Sequence, residues 1–219
     1  MAFDLHFIFL IILGIVSMVY LATLHRKPGI LQYILKSCLM PLILAIYISD
    51  ANQIILPIIL AMIFAWAGDI LLIKINNLLC FRLGLASFLF GHICYIIAMF
   101  KYAMPPNILI LIISIVIAAG LGFLIFKIVK PTDDMKIPVI IYEATILIMA
   151  IFASQLFINQ LSGEGATFGI LVFIGSLFFV ASDSSLAMVT FQKKPFYVFC
   201  MSTYITAQLL IALGFAALR

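Results

Sequence analysis

The chain has 219 residues, 67% of them hydrophobic and 9% charged, with a net charge of +4. Water-soluble domains carry about 25% charged residues, so this balance excludes one and makes the chain an integral membrane protein. The positive charge calls for no nucleic-acid partner, because basic loops beside membrane spans lie against anionic head groups.

The apolar runs, taken in order, are expected as an all-α bundle of eight transmembrane helices over 3–24, 30–49, 54–73, 81–100, 107–128, 137–158, 166–191 and 196–217. Each is near the ~20 residues that cross a bilayer as helix. Pro28, Pro57, Pro138 and Pro195 lie at or near helix starts, and Pro105-Pro106 interrupts the chain before the fifth run. Pro41 falls inside the second run and is expected to kink it. The ~10-residue alternation of a membrane β-barrel is absent. The first run has no basic n-region and no small-residue cleavage site, so it is expected to stay as a span. No soluble domain fits between the runs, and residues 1–219 are expected as one membrane-embedded unit. Residues 1–104 and 105–219 can be laid over each other with Asp69 opposite Asp183, a faint four-plus-four repeat.

Basic residues give the orientation. His25-Arg26-Lys27, Lys74 with Arg82, Lys127 with Lys130 and Lys136, and Lys193-Lys194 occupy alternate connections, while the other side holds only Lys101 and Arg219. The bias puts those connections in the cytoplasm and both termini outside; in a bacterial host the membrane would be the plasma membrane. Asp133-Asp134 and the turn around Glu164 are simplest as solvated loop residues. Cys38, Cys80, Cys94 and Cys200 lack C-x-x-C spacing and suggest small apolar packing, not a disulfide framework or a metal site.

Ionisable groups inside spans are expensive and mark function by default. Asp183 lies within G-S-L-F-F-V-A-S-D-S-S-L-A at 175–187, and Asp69 within A-W-A-G-D-I-L-L at 65–72. Asp69 is five residues from Lys74, Glu143 seven from Lys136, Lys36 nine from Lys27 and Asp183 ten from Lys193. At ~1.5 Å per residue all lie roughly 7–15 Å from the cytoplasmic flank, as groups sharing one cytoplasm-facing cavity would. Each also has a plainer explanation. Either acid alone could be half of a structural ion pair with Lys36, and Lys36 could instead snorkel to the interface. Tyr142, beside Glu143, could anchor at the interface. A lone buried histidine such as His92 is more often a helix-contact residue, although it shares a helix face with Tyr95 three positions on. The stripe Gly84, Ser87, Gly91 and Ala98 permits close helix approach. Ser176, Asp183, Ala187 and Thr190 share a face that should point inward.

Several pieces together resemble the YhhN family, which includes the lysoplasmalogenases: G-D-I-L-L at 68–72, F-R-L-G-L-A-S-F-L-F-G-H-I-C-Y at 81–95, Tyr142 with Met149, G-S-L-F-F-V-A-S-D at 175–183, and M-S-T-Y-I-T-A-Q-L-L-I at 201–211. The resemblance covers most of the chain from the second span onward. It departs from the family in one place: the usual Lys-Pro of helix two is here Lys36-Ser37, with proline at Pro41. What it implies is an eight-helix hydrolase that cleaves the vinyl ether of a lysoplasmalogen, a lysophospholipid, into a fatty aldehyde and a glycerophospho-base. Asp69 and Asp183 are then the acid pair, with His92 and Tyr95 positioning water, and Lys36 or Arg82 holding the phosphate. Tyr142, Glu143, Ser182, Tyr204 and Gln208 are further substrate-site candidates.

Vinyl ethers are cut by protonation of the β-carbon and capture of the resulting oxocarbenium ion by water. A low-dielectric site beside another acid keeps a carboxyl protonated near neutral pH, and a second, ionised carboxylate stabilises the cation and activates water. No cofactor or metal is expected. A zinc hydrolase is disfavoured because only His92 lies deep in a span, with His6 and His25 near helix ends on opposite sides, and a zinc site wants about three protein ligands. A proton-coupled transporter or lipid-binding protein is the alternative from another class.

Overall fold

Within hydrocarbon an isolated apolar stretch satisfies its own backbone only as helix. The computed structural model describes residues 5–25, 29–74, 77–163 and 165–218. Among these it has eight α-helices and no strand: α1 (Leu5–Thr23), α2 (Ile30–Asp50), α3 (Leu56–Leu71), α4 (Leu78–Ala103), α5 (Ile108–Val129), α6 (Lys136–Gln160), α7 (Ala166–Gln192) and α8 (Tyr197–Ala216). Seven are long and apolar enough to cross a bilayer; α3, with 16 residues, is apolar but shorter. Arg26, Lys27, Pro28, Glu164 and Arg219, which entered the orientation and turn assignments, lie outside the described residues.

A helix stands where each span was expected, with ends moved by local capping. α4 begins at Leu78, earlier than expected, because the Asn77 side chain accepts the Cys80 N–H at 3.1 Å. Asn107 caps α5 in the same way through Ile110 N–H at 3.2 Å. α3 stops at Leu71 and tightens into a 3₁₀ turn over Leu72–Lys74, with the Leu72 N–H shared between the carbonyls of Gly68 and Ile70. α2 runs unbroken past Pro41, whose side chain is exposed.

The packing order is a closed ring. α2, α3, α4, α6, α7 and α8 each touch the next, and α8 returns to α2. α1 packs outside on α2, and α5 packs outside on α6 and α7. The order therefore runs the same way from either half of the chain. Close approach is bought with small residues. On α4, Gly84 and Gly91 face α3, where an added Cβ at Gly91 would lie 3.2 Å from the Ala61 carbonyl oxygen, and the Ser87 hydroxyl donates to the Phe64 carbonyl at 2.6 Å. On α7, a Cβ at Gly175 would lie 2.8 Å from the Ile211 side chain of α8.

Candidate active site

The two acids sit on facing sides of the ring, each held by a helix before it and one across from it. Asp69, 2% exposed near the end of α3, is reached by Lys36 of α2, whose Nζ is 3.5 Å from Oδ1. Tyr204 of α8 donates its hydroxyl to the other oxygen, Oδ2, at 2.8 Å. Both carboxylate oxygens are thus engaged by donors. Gly68 makes this possible, because a Cβ there would be 2.6 Å from the Phe88 ring of α4, and Phe88 in turn packs edge-on against Tyr204. Lys36 is buried at 5% exposure and does not snorkel; its ammonium belongs to Asp69.

Asp183 of α7 is held differently. The Tyr142 hydroxyl of α6 donates to Oδ2 at 2.7 Å, and His92 Nε2 of α4 lies 3.5 Å from that same oxygen. Nε2 is also 3.5 Å from the Tyr142 oxygen. With a proton on Nε2 the ring would donate to both contacts, and among the described residues Nδ1 has no hydrogen-bond partner. Phe179, one turn before Asp183, packs edge-on against His92 with centroids 4.7 Å apart and fixes the ring plane. Two donors converge on one oxygen of Asp183, so its Oδ1 is clear of these donors.

Both acids line one small cavity of about 20 Å³, room for about one water. Lys36, Ser182, Tyr197, Cys200 and Tyr204 contribute its polar atoms, and Leu72, Phe88, Leu186 and Met201 close it with apolar surface. A water confined there would stand between two carboxylates, a placement suited to acid and base chemistry. Among the described residues no three His, Cys, Asp or Glu side chains converge as metal ligands.

The remaining candidates divide into those near the cavity and those away from it. Ser182 lines it, its hydroxyl donating to the Cys200 carbonyl at 3.1 Å. Tyr95 shares a face of α4 with His92 but does not bond either acid; its hydroxyl donates to Oε1 of buried Gln208, with Phe179 packed against it. Tyr95 and Gln208 therefore form an α4–α8 tie beside the acids, with Phe179 packed on Tyr95, His92 and Tyr204. Glu143 is half-buried and lines a groove between α5 and α6. Arg82 is exposed and donates to Asp134 at 2.9 Å, away from the cavity. Tyr197, Cys200 and Met201 were not anticipated, although they precede Tyr204 by seven, four and three residues on one face of α8.

A family model, that of the YhhN family, matches residues 31–215. The chain belongs to the YhhN family. The YhhN match takes in both acids and every residue around them, and it leaves out α1, in keeping with the position of α1 outside the ring. No match to the chain was found among curated proteins or among solved structures.

Proposed function

We propose that this YhhN protein is a lysoplasmalogenase-like hydrolase that splits the vinyl ether of a single-chain glycerophospholipid within the membrane. The observation that carries the proposal is the unequal engagement of two acids lining one cavity. Asp69 has both oxygens held by Lys36 and Tyr204, and protonating it would strand a buried lysine charge. Asp183 has no lysine, and Tyr142 and His92 share its Oδ2, so Oδ1 is the oxygen to carry a proton. The association of the YhhN family with hydrolase function points the same way.

In this mechanism Asp183 Oδ1–H donates to the β-carbon, the C=C electron pair forms the new C–H bond, and an oxocarbenium ion results. The Asp69 carboxylate stabilises that cation and takes a proton as the cavity water adds to the carbon beside oxygen. The hemiacetal then gives its hydroxyl proton to the Asp183 carboxylate as its bond to the glycerol oxygen breaks, the glycerol oxygen takes the proton held by Asp69, and a fatty aldehyde is released. Asp183 is again protonated and Asp69 again ionised, and the net change is addition of one water. His92 and Tyr142 hold the Asp183 carboxyl in register; no cofactor enters. The similar packing order from either half supports a view of the ring as two quasi-equivalent four-helix halves that each supply one acid.

Detergent-purified protein given vinyl-ether, alkyl-ether and ester lysolipids, with products read by mass spectrometry, tests the proposal. Aldehyde from the vinyl ether alone is expected. Turnover of the alkyl ether or ester instead, or flux in proteoliposomes with no lipid turnover, contradicts it, the latter favouring a proton-coupled carrier.

A further inference from the structure

A cavity of about 20 Å³ does not admit a lysolipid as it stands, so the reacting bond must arrive along some path. Among the described residues, three apolar grooves bear on the question. Two flank α5, each of about 470 Å³; their walls hold no lysine or arginine, and one contains Glu143. The third, of about 230 Å³, lies between α4 and α6 and is lined by Arg82, Leu85, Ala86, Leu89, Pro138, Ile141 and Tyr142. On α4, Arg82, Leu85, Leu89 and His92 recur at three- and four-residue steps, so buried His92 lies on the same helix face beyond the groove's inner end. Arg82 to His92 is about 15 Å of rise at ten residues. The groove's inner wall is Tyr142, whose hydroxyl is 2.7 Å from Asp183 Oδ2.

Resting on the function proposed above, we infer that the α4–α6 groove is the lateral entry and head-group site for a single-chain glycerophospholipid. Its phosphate sits on Arg82 in place of Asp134, its alkyl chain remains in the bilayer, and the ether bond reaches Asp183 along the Tyr142 ring, whose hydroxyl stays on Asp183 Oδ2. A guanidinium at the mouth of an apolar slot is complementary to an anionic phosphate above a glycerol backbone. The walls of the α5 grooves themselves hold no cation; Lys127, Lys130 and Lys136 line a separate pocket at the α5–α6 connection that meets one of these grooves at Phe126, and in that groove the Glu143 carboxylate would repel the phosphate.

The test uses a non-cleavable 1-O-alkyl lysophospholipid carrying a photoreactive diazirine beside the ether, with labelled residues mapped by mass spectrometry. Labelling of Leu85, Ala86, Leu89 or Ile141 is expected, competed by unlabelled lysophospholipid but not by an alkylglycerol lacking phosphate. Arg82→Gln should weaken that labelling about tenfold, equivalent to ~1.4 kcal/mol, and Ala86→Trp, which fills the slot, should abolish it. Labels along α5 and the facing side of α7, or unchanged labelling in Arg82→Gln and in Ala86→Trp, overturn the inference. The two proposals fail separately: groove labelling without vinyl-ether cleavage removes only the hydrolase, and cleavage with labels elsewhere removes only the groove.

Discussion

Lys36 is where the physics of this fold is most exposed to test. Its ammonium and the Asp69 carboxylate are both buried and 3.5 Å apart, and among the described residues Tyr204 supplies the other close donor to that acid. Lys36→Met keeps the length and apolar stem of the side chain and removes the charge. Asp69 is then an ionised group in an apolar wall with a single hydrogen bond, and breaking a buried pair from one side costs about 3–5 kcal/mol. Replacing both partners with apolar residues of similar size is often neutral or stabilising, so Lys36→Met with Asp69→Leu should regain most of that loss. Unfolding in detergent, followed for wild type, both single variants and the double variant, gives the coupling by a double-mutant cycle. A coupling of about 3 kcal/mol or more is expected. Losses that simply add, or a Lys36→Met protein as stable as wild type, would refute the pairing and with it the assignment of Asp69 as the ionised acid.

Turnover in D₂O should give aldehyde with one deuterium on the carbon next to the carbonyl, read by mass spectrometry after immediate reduction to the alcohol; none there means the β-carbon is not protonated from an exchangeable acid. Tyr142→Phe removes the donor to Asp183 Oδ2, a loss of about 0.6–1.7 kcal/mol for a hydrogen bond inside a membrane bundle. Expressed in kcat that is a drop of roughly 3- to 20-fold, and an unchanged kcat would show that the bond does not hold the acid in register. Gly175→Ala should destabilise by about 1–3 kcal/mol through overpacking, since its Cβ would meet Ile211 at 2.8 Å. Gly120→Ala, with nothing within 4 Å of its Cβ, should be neutral or slightly stabilising in the same melt; equal effects would contradict the α7–α8 packing.

Much of this was legible in the residues, for reasons that differ by level. The eight helices follow from apolar run length, because hydrocarbon leaves the backbone no other partner; their ends did not, since caps such as Asn77 act through one hydrogen bond and leave hydropathy unchanged. Asp69 and Asp183 stood out because a charge in a span is costly, and that cost is also why both turn to a shared cavity. Depth counting placed Lys36 near the acids but could not choose between snorkelling and pairing, because both fit its distance from the flank; only the α2–α3 contact decides it. Tyr95 shows the opposite limit. A three-residue step puts it on the His92 face, yet helix periodicity says nothing of which neighbour a long side chain reaches, and its hydroxyl goes to Gln208. The resemblance offered Lys36 or Arg82 for the phosphate without choosing between them, whereas the place of Arg82 at the mouth of an α4–α6 groove depends on which helices pair across the ring.

The most direct measurement is fatty aldehyde released from a vinyl-ether lysolipid by purified wild-type, Asp183→Asn and Asp69→Asn proteins, each first shown to be folded by its elution and melting in detergent. Wild type should release aldehyde, and each variant should lose about 10²-fold or more, the contribution of a positioned acid or base. Folded Asp183→Asn protein that cleaves at the wild-type rate would contradict the account.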